Sequence, residues 1–136
     1  SLTVFLVDAV FLENPSSIVS ALTLASSVAV RLKRPQVNVI SKADLLLPEV
    51  LEELVPRLGE EGFLESLVDS DETSDLYTKT LMLNLSSALY KAGFIGEVIP
   101  VSTGMPETLD ALYAKIQQVF SGGEEYKYYD VKRDYY

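Results

Sequence analysis

Three short apolar runs, each ending directly in polar residues, constrain the fold of this chain more than any other feature. They occupy residues 2–7, 37–40 and 97–101. Short runs rich in β-branched residues are typical of strands buried on both faces of a parallel sheet. In the segments between these runs, apolar residues recur with the spacing of a helix. The alternation predicts an α/β domain of three layers, with a parallel sheet of about three strands and helices on both faces.

Proline, glycine and capping residues predict where the helices begin and end. The predicted boundary residues are Asn14 with Pro15, Pro35, Pro48, Gly59, Thr73 or Ser74, Gly93 and Pro106. Asn14 followed by Pro15 fits an N-cap and a first helical residue. Pro100 lies in the third strand run and has no amide to donate. We therefore expect that strand to lie at an edge of the sheet or to end at Pro100.

The length of the chain suits one compact domain, because 136 residues can bury a single core. The apolar stripe of the last predicted helix ends near Phe120, and Ser121, Gly122 and Gly123 follow. This break predicts a domain over residues 1–120 and a tyrosine-rich, charged tail over residues 121–136. The tail shows no clear periodicity.

Charge and composition narrow the classes of function. The net charge of −9 argues against general nucleic-acid binding, although one nucleotide held by amides and a lysine stays compatible with it. The chain has no cysteine and no histidine, which removes disulfides, thiolate metal sites and the commonest general base. We expect no metal site and no catalytic residue in it. No apolar run reaches about 18 residues and no basic leader is visible, so we expect a cytoplasmic protein without membrane contact.

Two polar loops follow the second and third predicted strands, where parallel sheets bind their ligands. Lys42 and Asp44 lie in the first of these loops. A carboxylate can accept hydrogen bonds from N1–H and the 2-amino group of guanine, whereas adenine offers neither donor at those positions. Each such bond to a charged group contributes roughly 1.5–3 kcal/mol, so an unpaired Asp44 would discriminate against adenine. The stem of Lys42 can lie over the base while its ammonium stays solvated.

Ser102 and Thr103 lie in the second loop, where backbone amides can donate to guanine O6. Simpler interpretations stay open for both loops. Lys42 and Asp44 can be an exposed loop pair, and Ser102 or Thr103 can cap the last helix. Asp8 ends the first strand and is expected in a turn or a supporting role. The acidic residues between 69 and 75 lack the glycine and glutamate of a calcium loop, which favours a solvated turn.

The sequence resembles the GPN-loop GTPases, and an archaeal member is expected. The resemblance covers roughly residues 2–120, and its specific part is the stretch from Pro35 to Leu45. The segments that carry it are VFLVDA at 4–9, NPS at 14–16, SAL at 20–22, RPQVNVISKADLL at 34–46 and IPVS at 99–102.

The resemblance implies a GTPase that uses GTP, GDP and Mg²⁺ and forms a homodimer as the full-length protein. Lys42 and Asp44 match the guanine-recognition motif of the family, and Ser102 and Thr103 match its second base-contacting loop. Ser41 departs from the Asn or Thr that is common in other GTPases, which puts its side-chain role in doubt.

The phosphate-binding motif G-x-x-x-x-G-K-[ST] does not occur in the sequence. We therefore expect the C-terminal half of a GTPase domain, a partial P-loop fold whose partner is the missing N-terminal half. Mg²⁺ is expected only in the full-length protein, and this chain alone is expected to be inactive. A non-enzymatic α/β module that binds a partner is the alternative. A receiver-like phosphoacceptor using Asp8 fits poorly, because its further acidic cluster and late lysine are not found.

Overall fold

The computed structural model describes residues 2–94 and 98–135, with side chains up to residue 121. Within these residues, three strands and four α-helices follow one another in the predicted order. Their bounds are β1 Thr3–Asp8, α1 Pro15–Leu32, β2 Gln36–Ser41, α2 Phe63–Ser70, α3 Leu76–Lys91, β3 Val98–Pro100 and α4 Pro106–Tyr135. The molecule is an α/β protein with a parallel sheet, as predicted.

The sheet has the strand order β1-β2-β3, and both pairings are parallel. Val4 lies opposite Val37, and Asn38 lies opposite Val98. The strand that contains Pro100 is at an edge of this sheet, which confirms the prediction made from its missing amide. Because all three strands run in the same direction, their carboxyl ends lie along one side of the sheet.

Helices pack on both faces of the sheet. On one face, α1, α2 and α3 form the larger core around buried residues such as Ile18, Ile40 and Leu64. On the other face, side chains of α4 pack against a smaller core of Val37, Val39 and Ile99. Alternate residues of β2 therefore serve the two cores, as expected for a strand buried on both faces.

The start of α1 agrees with the sequence. The side chain of Asn14 accepts a hydrogen bond from the amide of Ser17 at 2.9 Å, and Pro15 is the first helical residue. Among the described residues, α1 is long and apolar enough to cross a membrane by length and composition alone. Buried residues of α1, such as Ile18 and Leu22, nevertheless belong to the larger core, so the helix is a layer of the domain.

The region after Pro48 is less regular than the predicted helix. It contains a π turn at Val50–Leu54 and a 3-10 turn at Val55–Arg57. Pro56 explains the change, because proline has no amide for the carbonyl four residues earlier and its ring clashes with that carbonyl. The backbone hydrogen bonds shift to other spacings around it.

The cap of α3 also differs from the prediction. Asp75 accepts a hydrogen bond from the amide of Thr78 at 2.7 Å, whereas Thr73 or Ser74 was expected to cap. The hydroxyl of Thr73 donates to Asp71 at 2.6 Å instead. This acidic turn is therefore closed by its own side chains.

The last helix, α4, continues through residues 121–123 to Tyr135, where the glycines predicted a break. The division of the chain at residue 120 into a domain and a tail stays a prediction.

Candidate functional site

The predicted site residues lie where β2 and β3 end, on the same side of the sheet. Two backbone hydrogen bonds join the loops after these strands: the amide of Val101 donates to the carbonyl of Ile40 at 2.8 Å, and the amide of Ala43 donates to the carbonyl of Val101 at 3.1 Å. These bonds continue the pairing of the two strands beyond Pro100. They bring residues 42–44 and 102–104 together although about 60 positions separate them.

Asp44 and Ser102 are in direct contact. The hydroxyl of Ser102 donates to Oδ1 of Asp44 at 2.7 Å. Ser102 is buried, with 5% of its surface exposed, whereas Asp44 is exposed in a short 3-10 turn, Ala43–Leu45. The structure gives Oδ2 of Asp44 no hydrogen-bond partner among the described residues. The carboxylate is thus held on one oxygen and open to solvent on the other.

Lys42 extends toward the first strand. Its Nζ lies 3.2 Å from Oδ2 of Asp8, and both side chains are substantially exposed. The backbone of Lys42 has a φ of 59°, in the left-handed region, which costs a residue with a side chain about 1–2 kcal/mol. This conformation lets the chain leave β2 and turn so that the next amide, that of Ala43, reaches Val101.

Asp8 is a capping residue as well as an ion-pair partner. Its carboxylate accepts a hydrogen bond from the amide of Val10 at 3.1 Å and so begins a 3-10 turn, Ala9–Leu12. The bond from Val10 and, after it, the bond from Lys42 lower the pKa of Asp8 below the ordinary aspartate value. Asp8 therefore has the turn role expected from the sequence, together with a charge partner that the sequence did not identify.

The second loop is held by hydrogen bonds within itself and to α4. Oγ of Ser102 accepts from the amide of Gly104 at 3.1 Å, and the amide of Ser102 donates to Oγ1 of Thr108 at 3.0 Å. Ser102 therefore braces its own loop and does not cap α4. Thr103 is exposed, and its amide has no hydrogen-bond partner in the part of the chain that the structure describes. That amide is available to an acceptor from outside.

A cavity of about 380 Å³ lies beside these loops. Its walls include Asp8 and Glu13 and, on the apolar side, Val10, Leu12 and Leu45. Val10 and Leu45 are 53% and 70% exposed. The cavity shares Asp8 with the Lys42 ion pair, whereas Asp44 and Ser102 lie outside its lining.

No cluster of three or more Asp, Glu, His or Cys side chains suited to a metal ion occurs within the described ranges. Lys42, Asp44, Ser102 and Thr103 lie on two adjoining loops, as their positions after the strands implied. The ion pair of Asp8 with Lys42 and the contribution of Thr108 were missed. A proline-headed helix with a threonine two residues after the proline was the available signal for Thr108.

The chain is similar to a known protein family over most of its length. A family model described as "conserved hypothetical ATP binding protein" matches residues 1–122. The match includes both loops and every element from β1 to the first half of α4.

Proposed function

Because the chain belongs to this family of conserved hypothetical ATP-binding proteins, we propose that the loops after β2 and β3 bind a nucleotide through its base, and that the base is guanine. The family supports a nucleotide as the ligand. The preference for guanine rests on the chemistry of the loops themselves.

The observation that carries the proposal is that, in the described part of the chain, only one of the two carboxylate oxygens of Asp44 has a hydrogen-bond donor. Ser102 holds Oδ1 at 2.7 Å, and Oδ2 faces no donor among the described residues. N1–H and the 2-amino group of guanine form a pair of donors that fits a carboxylate. Adenine has an acceptor at N1 and no amino group at C2, so it would leave Oδ2 of the carboxylate without a donor.

The neighbouring groups fit the rest of a guanine ring. The free amide of Thr103 is a donor suited to O6, which is an amino group in adenine. Lys42 can place its stem against the face of the ring while its ammonium remains near Asp8. Each residue would thus contact a different part of the base: its N1 and 2-amino edge for Asp44, O6 for Thr103 and the face of the ring for Lys42.

The proposed role of the chain is the base-recognising half of a GTP-binding and GTP-hydrolysing protein. Phosphoryl transfer depends on positioned charge around the phosphates, and the phosphate-binding motif does not occur in this sequence. We expect no GTP hydrolysis above background by the 136-residue chain alone. Turnover that copurifies with the chain and disappears in Asp44→Ala would contradict this expectation.

An NMR titration tests base recognition. Base contacts without phosphate contacts should give a dissociation constant in the millimolar range or weaker, about −4 kcal/mol or less favourable. We expect GDP to shift the amides of Ala43, Asp44, Ser102 and Thr103, and ADP to leave them unchanged. Inosine diphosphate, which lacks the 2-amino group, should bind more weakly than GDP.

Asp44→Asn tests directly whether the carboxylate of Asp44 selects the base. The amide has almost the shape of the carboxylate but replaces one acceptor with a donor, which suits the C2 carbonyl of xanthine. We expect this variant to lose its response to GDP and to gain one to xanthosine diphosphate. Equal shifts with GDP and ADP in the unmodified chain would remove the guanine assignment.

The exposed apolar rim of the cavity favours a second candidate, a module that binds a protein partner without catalysis. Leu45 and Leu47 are 70% and 67% exposed beside it, and such surfaces often mark interaction sites. Nucleotide titrations separate the two candidates, because a partner-binding module has no reason to distinguish guanine from adenine.

A further inference from the structure

Thr108 links the first turn of α4 to the loop after β3, which contains Ser102 and Thr103. Its Oγ1 accepts from the amide of Ser102 at 3.0 Å and donates to the carbonyl of Met105 at 2.6 Å. Its own amide also donates to the Met105 carbonyl, at 2.9 Å. Thr108 is the third residue of a helix that begins at Pro106, so its position is fixed by the helix.

The hydroxyl of Ser102 connects Thr108 and the loop to Asp44. It has a single proton, and the amide of Gly104 donates to its oxygen at 3.1 Å, so the proton is free for Asp44. The chain of contacts therefore runs from Thr108 through the backbone and side chain of Ser102 to Oδ1 of Asp44.

Asp44 depends on this chain of contacts for its orientation. Its side chain is exposed, and among the described residues the bond from Ser102 is the only hydrogen bond that this side chain makes. A charged side chain on the surface otherwise samples several rotamers, and ordering it costs free energy. Fixing Asp44 before the base arrives lowers the cost of recognising it.

We propose that Thr108 is a positioning residue that sets base selectivity: it fixes Ser102, and through Ser102 it fixes the carboxylate of Asp44 in the orientation that reads guanine. This proposal rests on the proposed function for the identity of the base. The ordering of Asp44 by Thr108 is a property of the protein without ligand and can be measured separately.

The test uses Thr108→Val, which keeps the shape of the side chain but removes its hydroxyl, and Thr108→Ser, which keeps the hydroxyl. We expect Thr108→Val to weaken GDP binding about tenfold, the effect of one lost hydrogen bond. Thr108→Ser should retain the GDP affinity of the unmodified chain. The chemical shifts of β2 and α1 report whether each variant is folded.

The rotamer of Asp44 provides the readout that does not depend on any nucleotide. Three-bond couplings about χ1 of Asp44 should indicate one rotamer in the unmodified chain and in Thr108→Ser, and averaging in Thr108→Val. Ser102→Ala should reproduce the averaging. Adding Thr108→Val to Ser102→Ala should then have little further effect, because both act through the same bond.

The outcomes separate the two proposals. If the unmodified chain does not distinguish GDP from ADP, the proposed function fails, and the couplings of Asp44 still decide whether Thr108 orders it. If a folded Thr108→Val variant keeps both its GDP affinity and a single Asp44 rotamer, the positioning role of Thr108 is wrong.

Discussion

Asp8 makes two interactions of different kinds, one with the amide of Val10 in its own turn and one with Lys42 in the loop after β2. The amide of Val10 contributes most to its lowered pKa, and the bond from Lys42 contributes next. Lys42→Met should therefore raise the pKa of Asp8 only part of the way to the ordinary value. A carboxyl-detected NMR pH titration measures this shift, with Lys91→Met as the matched control. A full return to the ordinary value would show that the cap from Val10 contributes little.

The lowered pKa of Asp8 also predicts how stability depends on pH. A carboxyl group with a lower pKa in the folded state stabilises the fold above its unfolded pKa, about 3.9. That contribution is lost as pH falls through the folded pKa. Asp8→Asn should therefore be less stable than the unmodified chain near pH 6, with the difference shrinking in strong acid. Urea unfolding at several pH values measures it, and a difference independent of pH would contradict the assignment.

The sequence predicted the placement of the site residues but not every contact among them. Asp44 and Ser102 each follow a buried strand, and parallel pairing brings such ends together, so their proximity followed from the pattern. The bond between Asp8 and Lys42 spans 34 positions and depends on the left-handed backbone of Lys42. A lysine rarely adopts that conformation, and no local pattern signals it.

The end of α3 depends on Gly93. Its φ is 70°, its amide donates to the carbonyl of Tyr90 at 2.9 Å, and the amide of Phe94 donates to that of Leu89 at 3.1 Å. This is the Schellman arrangement that glycine favours. No atom lies within 4 Å of an added Cβ, so the cost of a substitution comes from the backbone alone.

Gly93→Ala should lower the free energy of unfolding by roughly 1 kcal/mol, because alanine disfavours the left-handed region. Gly93→Asn should cost less, since asparagine tolerates that region better. Urea unfolding of the three proteins measures the series. Equal stability of the alanine and glycine forms would mean that the helix end rearranges without cost.

Element boundaries were predictable where one residue decides the outcome. Asn14 with Pro15 and Gly93 are such positions, and the structure has helix ends at both. The cap of α3 was missed because Thr73, Ser74 and Asp75 are all competent caps in sequence. Asp71 engages Thr73 and Ser74, which leaves Asp75 to accept from Thr78. Competition among neighbouring side chains is decided by the geometry of the turn.

The two faces of the sheet are covered unequally. Helices α1, α2 and α3 build the larger core on one face. On the other face α4 packs against β2 and β3, while Val4 and Leu6 of β1 stay 41% and 64% exposed. The resemblance to the GPN-loop GTPases predicted that β1 pairs with β2 and that apolar residues of β1 are partly exposed, and the structure has both features.

The uncovered strand predicts how the isolated chain behaves in solution. In the sheet of described strands, β1 pairs with β2 on one side, and its other side carries backbone groups without a strand partner. The strand has no lysine or proline to discourage pairing with another chain. We expect the chain to self-associate through β1, with an average mass that rises with concentration.

Val4→Lys should favour monomers, because it places a charge on the exposed apolar face. Val30→Lys, at a valine that is 74% exposed on α1, is the matched control and should leave association unchanged. Size-exclusion chromatography with light scattering measures the average mass of all three proteins. If the unmodified chain is monomeric at every concentration, the free edge of β1 is not an interface.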